Sequence, residues 1–276
     1  MKRITPAQKL AASPLILVLA QVRFTQILSM ETHVPAIQDR LRKLGYVRYQ
    51  PSTMTELHLD ADAMSLRRDQ RPRWDFLDRE RRKGVVLADS FVVLHTNQYS
   101  TYEAFLPDFV DVLKVLYEIA QPALAARVGL RYVDVVRPRQ SEVMQDYVSA
   151  GLMAFDLGML LPADSIQRTS SRVESVAETK TGTLSVRSTI RSDGQYLPPD
   201  LAPPVLSYDD YIAPSPGQTI GVLDIDHANT IELDFDVEQL ESVLVDLHDA
   251  TDLAFRAAAT PFALMAWGNP ENKQWR

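Results

Sequence analysis

From Leu15 to Phe24 the chain reads LILVLAQVRF, apolar for six residues and then alternating, behind a Ser13-Pro14 turn signal. That pattern predicts a buried strand. The period changes at THVPAIQDRLRKLGY: Val34, Ile37, Leu41 and Leu44 recur at helical spacing, Pro35 suits a first turn, and Gly45 stops the run. Residues 46–60 return to strand alternation, with Met54, Glu56, His58 and Asp60 on one side and Thr55, Leu57 and Leu59 on the other. Three strand-like runs follow, RPRWDFL, KGVVLAD and SFVVLHTN, separated by polar turn residues. In YSTYEAFLPDFVDVLKVLYEIAQ, the residues Tyr102, Phe105, Phe109, Val112, Leu116 and Ile119 form one apolar stripe, a long helix closed by Pro122. The strand ARVGLRYVDVV comes after it. The order over 15–137 is thus β-α-β-β-β-β-α-β, an α+β layout with helices against one face of a mainly antiparallel sheet.

The pattern weakens over 141–165, which holds Gly151 and Gly158. SRVESVAE and GTLSVRSTIR then predict a hairpin turning at Thr179 to Gly182. Six prolines between 193 and 217 predict a long irregular connection rather than a packed element. TIGVLDIDHA and NTIELDFDV predict a strand pair, or one strand and a cap. Val237–Ala259, with Leu240, Val243, Leu244, Leu247, Leu253 and Phe255 as its stripe, predicts an amphipathic helix ending near Pro261. Both halves finish strand, strand, long helix. The chain therefore divides into two α+β halves, 1–140 and 141–276; divergent copies are one explanation of the shared ending and a merely common pattern is the other, and it is open whether they form one core or two.

The bulk numbers add exclusions. A chain of 276 residues, 46% hydrophobic and 24% charged, has the composition of a soluble globular protein with ample core. The absence of cysteine excludes disulfides, thiolate metal sites and a cysteine nucleophile, and fits a cytoplasmic setting. The apolar run Leu15–Ala20 behind a basic start is too short for a signal core or a membrane span, so no membrane partner is expected. A formal charge of −7 argues against general nucleic-acid affinity.

Against that acidic background, ARVGLRYVDVVRPR places four arginines in residues 126–139. On a strand, Arg127, Gly129 and Arg131 share one face and Val128, Leu130 and Tyr132 the other. A glycine inside a strand admits a close neighbour, and two flanking guanidinium groups form a clamp for carboxylate or phosphate. The hairpin adds Arg187 and Arg191 at alternate positions, which extends the candidate to an arginine-lined concavity. The plainer reading pairs these arginines with Glu174, Glu178 or Asp134 on a solvated sheet face.

Other candidates are weaker. In LDIDHANTIELDFDVE, Asp224, Asp226 and Glu232 present carboxylates at alternating positions and form a candidate Mg²⁺ site, with His227 beside them. A solvated face, with Asp236 and Glu238 opening the next helix, accounts for the same residues. Residues 66–84 hold eight of the 29 basic residues around Trp74 and Phe76, a composition that suits single-stranded nucleic acid. The alternation of the two aromatics and the absence of any RNP, KH or zinc spacing favour a solvated hairpin with arginines at its tip. The five histidines show no ligand spacing, and no GxSxG, P-loop or GxGxxG is present.

PLILVLAQVRF, RWDF with VVLADSFVVLHTNQYSTYEAF, RVGLRYVDVV, LDIDH, LHDATDLAF and the closing Trp267-Gly268 together resemble a sporadically distributed bacterial family of unknown function, marked by a Gly-Leu-Arg-Tyr strand motif, here Gly129 to Tyr132. The resemblance spans essentially the whole chain and implies an intact fold of this length, with no activity attached. An asparagine often follows two residues after the family's tyrosine; this chain has Asp134 there.

With no catalytic constellation legible, the expected function is a non-enzymatic cytoplasmic interaction or regulatory module with a protein partner, a homo-oligomer being one arrangement. The alternative is an Mg²⁺-dependent enzyme or binder of a small anionic, phosphate-containing ligand held on the arginine strands. Nucleic acid ranks last.

Overall fold

The structure is a computed structural model, and it describes residues 10–60, 65–139, 141–153, 155, 169–202, 204–209, 211, 213–215 and 217–269, with side chains 56–60 and 65–69 left aside. Gly158, Pro203, Pro216 and the side chains of Glu56, His58, Asp60, Arg67 and Arg68 lie outside the described residues or atoms.

The described strands form one antiparallel sheet. β1 (Leu15–Phe24) is followed by α1 (Met30–Lys43), then β2 (Arg48–Asp60), β3 (Ser65–Leu77), β4 (Lys83–Ala88) and β5 (Phe91–Thr96). After α2 (Tyr102–Ala120) come β6 (Leu124–Val136) and the short α3 (Met144–Tyr147). The chain continues through β7 (Ser170–Glu178), β8 (Thr183–Arg191), β9 (Ile220–Asn229), β10 (Leu233–Asp234), α4 (Val237–Ala258) and α5 (Pro261–Gly268). The strand order is β2-β3-β4-β5-β1-β6-β9-β8-β7, with β10 added beside β6. β6 pairs with β1 on one side and β9 on the other, so Gly129 lies opposite both Gln21 and Ala228 near the middle of the sheet.

Alternation along β6 decides what each face does. Val128 and Leu130 enter an apolar cluster with Val18, Ala20 and Val22 of β1. Val34, Ile37 and Leu41 of α1, Phe105, Phe109 and Leu116 of α2, and Leu240, Leu244 and Leu247 of α4 join the same cluster. Each such side chain contributes about 1.5–3 kcal/mol by leaving water, which makes this layer the main source of stability. None of the described helices is long and apolar enough to cross a membrane.

β3 runs unbroken from Ser65, longer than the run RPRWDFL suggests; Arg71 and Arg73 sit within it as that run predicts, and Arg79, Arg81 and Arg82 fall in the turn before β4. NTIELDFDV contributes only the two-residue β10 and then Asp236, which caps α4, so the segment is nearer to one strand and a cap than to a strand pair; Asn229 ends β9 and its side chain accepts from the Ile231 amide, starting a turn. α5 was not anticipated: Thr260 caps it through a bond from the Ala263 amide, and Pro261 opens its first turn. Its Trp267 is fully buried, with ring centroids 5.7 Å from Tyr147 and 5.8 Å from Phe255.

The proline-rich connection is also packed, contrary to expectation. Leu197 and Leu206 are buried with Leu17, Leu77, Val133 and Val222, on the face of the sheet away from the large cluster. Arg81 and Arg82, in the β3–β4 turn, donate to the Val205 and Ser207 carbonyls at 2.9 Å each, and Asn97 donates to Ser207 at 2.6 Å. The Arg137 guanidinium carbon lies 4.4 Å from the Tyr211 ring centroid, and Tyr196 packs at 4.6 Å from the same ring. We call this segment, from about Asp193 to Tyr211, the strap. Prolines limit its ladder bonding, but its aromatic and aliphatic side chains still bury apolar area.

Candidate functional site

The face of β6 opposite the helices carries Arg127, Gly129 and Arg131. Along the neighbouring strands, Asp226 of β9 lies opposite Arg131, Arg187 of β8 opposite Asp224, and Glu174 of β7 opposite Arg187. Sheet register thus lays cationic and anionic side chains alternately across four strands. Arg127, Arg131, Arg187 and Arg191 all line a single cavity of about 1190 Å³, as do Asp224 and Asp226.

The contacts show why this sequence needs glycine at 129. Arg127 folds back along its own strand to reach Gln21 Oε1 at 2.8 Å and Asp226 at 3.2 Å. In doing so its guanidinium lies over Gly129, where a Cβ would stand 2.5 Å from Nη1 and 2.9 Å from Cζ. The close neighbour that the glycine admits is therefore Arg127 itself. Gly129→Ala is expected to swing this flexible side chain aside and cost about 1 kcal/mol without unfolding the chain. The check is a double-mutant cycle: in an Arg127→Met background the cost should fall towards zero. An equal cost in both backgrounds would give the glycine another purpose.

Arg131 is the hub. Its Nε and Nη2 meet the two oxygens of Asp224 at 2.6 and 2.8 Å, a bidentate pair, and Nη1 meets Asp200 of the strap at 2.5 Å. Burial works to lower its pKa, but the bonds it donates to Asp224 and Asp200 outweigh burial and hold it well above the ordinary arginine value. Arg187 donates to Glu174 at 2.6 Å and more loosely to Asp224 at 3.4 Å. Burial opposes its charge as well, and the bond to Glu174 outweighs that, so its pKa is raised. Glu174 is correspondingly held below the usual carboxylate range by the bond from Arg187. For Arg127 burial dominates and lowers the pKa, even with Asp226 beside it. Arg191 stands apart, bound at the strand end to Asp193 and Gln195.

Of the carboxylates offered as partners for these arginines, Glu174 takes the role. Glu178 accepts instead from the Thr183 hydroxyl at 2.9 Å, and Asp134 is buried at 2% exposure on the opposite face. Asp224 and Asp226 face the arginines, while Glu232 is exposed beyond the end of β9. The three do not converge, and no group of three or more His, Cys, Asp or Glu among the described residues is arranged to hold a metal. His227 points away from both aspartates: its Nδ1 faces the Leu247 carbonyl at 3.1 Å and its Nε2 the Thr179 hydroxyl at 2.8 Å, a satisfied core histidine.

The same cavity continues past β1 to a second polar group that the sequence reading missed. Asp75, 2% exposed, accepts from Arg73 at 2.8 and 3.0 Å and from the Ser52 hydroxyl at 3.1 Å. His95 lines the same cavity; burial, with the Arg73 charge added, pushes its pKa down to about 3, so the ring is neutral. The signal was present in RPRWDF, where Arg71, Arg73 and Asp75 alternate with Trp74 and Phe76. Only pairing with β2 and β4 makes that polar face part of the cavity.

No family model matches the chain, and comparison with curated proteins finds no match. The site's own chemistry therefore carries the functional argument.

Proposed function

We propose that the chain is a non-enzymatic interaction module, working in the cytoplasm, that receives an acidic segment of a protein partner on its arginine-bearing sheet face. The observation that carries this reading is that four arginines from β6 and β8 line one cavity while each is matched by carboxylates. A charge-balanced array of this kind recognises by exchanging ion pairs. In this reading the long helices are the scaffold layer behind the sheet, and the segments 1–140 and 141–276 supply one side each of the binding face.

The test is titration of the full chain with hexaglutamate and hexalysine peptides at low salt, beside an Arg187→Gln variant. Hexaglutamate is expected to bind, at least about 5-fold more weakly in the variant, with affinity falling as salt rises. Equal binding of hexalysine, or indifference to Arg187, would overturn the reading.

The second reading, an Mg²⁺-dependent binder or enzyme for a phosphate-containing anion, draws on the same arginines. The oxygen atoms of Asp224 and Asp226 are directed at guanidinium groups, which leaves less for a cation. Thermal stabilisation by tripolyphosphate that requires Mg²⁺ would favour this second reading over the first.

A further inference from the structure

Arg131 holds two carboxylates of different standing. Asp224 belongs to the adjoining strand and its side chain is 7% exposed. Asp200 comes from the strap, on a single 3-10 turn, Pro199–Leu201, and its side chain is 61% exposed. The strap is fastened on both sides of that turn, by Leu197 before it and by Leu206, Ser207 and Tyr211 after it. Asp200 is therefore not what keeps the strap in place. Arg131 is already satisfied in bidentate fashion by Asp224, and the strap adds a second anion on the side that faces the cavity.

We propose that Asp200 is a built-in occupant of the arginine face, seated where a carboxylate of the acidic partner segment docks, and that the partner binds by displacing it from Arg131. This rests on the acidic-partner reading above and adds its regulation. A tethered carboxylate competes at an effective concentration of roughly millimolar or more, so isolated carboxylates are turned away. A segment that offers several acidic side chains, reaching Arg187 and Arg127 as well, gains contacts the strap cannot supply. Asp200 is held below the usual carboxylate range: burial pushes it up, and the bond from Arg131 outweighs this. Displacement at neutral pH accordingly exchanges one carboxylate for another.

Calorimetric titration of the full chain with hexaglutamate, in wild type and in Asp200→Asn, tests the proposal. The variant is expected to bind about 10-fold tighter or more. Equal affinity would overturn the displacement and leave the acidic-partner reading standing; binding by neither protein would overturn both. A gain seen with tripolyphosphate and not with hexaglutamate would overturn the partner assignment in favour of a phosphate ligand. A second readout needs no variant. The Leu201 and Ala202 amides bond to the Pro198 and Pro199 carbonyls at 3.0 and 3.3 Å, and their hydrogen exchange in wild type should accelerate when hexaglutamate saturates the protein. Unchanged exchange with the peptide bound would overturn the proposal.

Discussion

Asp224→Ala is expected to destabilise the chain by about 3–5 kcal/mol, because it leaves two guanidinium groups without their shared counter-charge. The side chains of Arg131 and Arg187 are only 12% and 21% exposed, so water cannot replace the lost carboxylate at full value. Chemical denaturation would measure the loss, and the melting temperature should fall by roughly 6–10 °C for a domain of this size. Glu174→Ala provides the contrast. Its side chain is 40% exposed, so its removal should leave the denaturation midpoint close to that of the wild type. Pairing Asp224→Leu with Arg131→Met should recover most of the loss, since a buried ion pair replaced by apolar groups is often neutral. Two aspartate and glutamate variants of equal effect would mean that the network is solvated throughout and organises nothing.

That gradient explains how far the site was legible in the chain. Alternation alone put Arg127, Gly129 and Arg131 on one face and Val128, Leu130 and Tyr132 on the other, because strand geometry permits nothing else. Glu174 opposite Arg187 was accessible too, since a hairpin with a fixed turn sets its own register. Asp224 and Asp226 read in the sequence as alternating carboxylates, either a solvated face or a candidate cation site. Their arginine partners lie 93 and 99 residues away in sequence, and only the β6–β9 register joins them. Asp200 was hidden for a different reason. It sits in a proline-rich stretch without periodicity, where its position is set by Leu197 and Leu206 packing against the sheet rather than by any repeating backbone geometry. Likewise α5 escaped notice because PFALMAWG is apolar on nearly every side, so it has no stripe to read, and its cap at Thr260 was the one local sign.

Asp134→Asn is expected to stabilise the protein, and to do so more at pH 8 than at pH 5. Asp134 follows Tyr132 by two residues on the helix side of β6. It is 2% exposed, no arginine or lysine pairs with it among the described residues, and burial raises its carboxyl from 3.8 to about 8. Below about pH 4 the group is protonated in both folded and unfolded chains and costs nothing extra. From there to about pH 8 the unfolded chain ionises while the folded chain holds its proton. The folded state therefore binds more protons, and stability must fall as pH rises through that window. Above about 8 both states are ionised and the penalty stays complete. A neutral amide of the same shape removes the titration. At about 1.36 kcal/mol per pKa unit, and with the amide's own desolvation set against the gain, Asp134→Asn should add on the order of 2 kcal/mol at pH 7. Unfolding free energies from pH 5 to 8 provide the check: the wild-type curve should slope downward with pH and the variant's should be flatter. Parallel curves would mean that water or a shifted neighbour solvates the carboxylate, and that Asp134 stands charged in the folded chain.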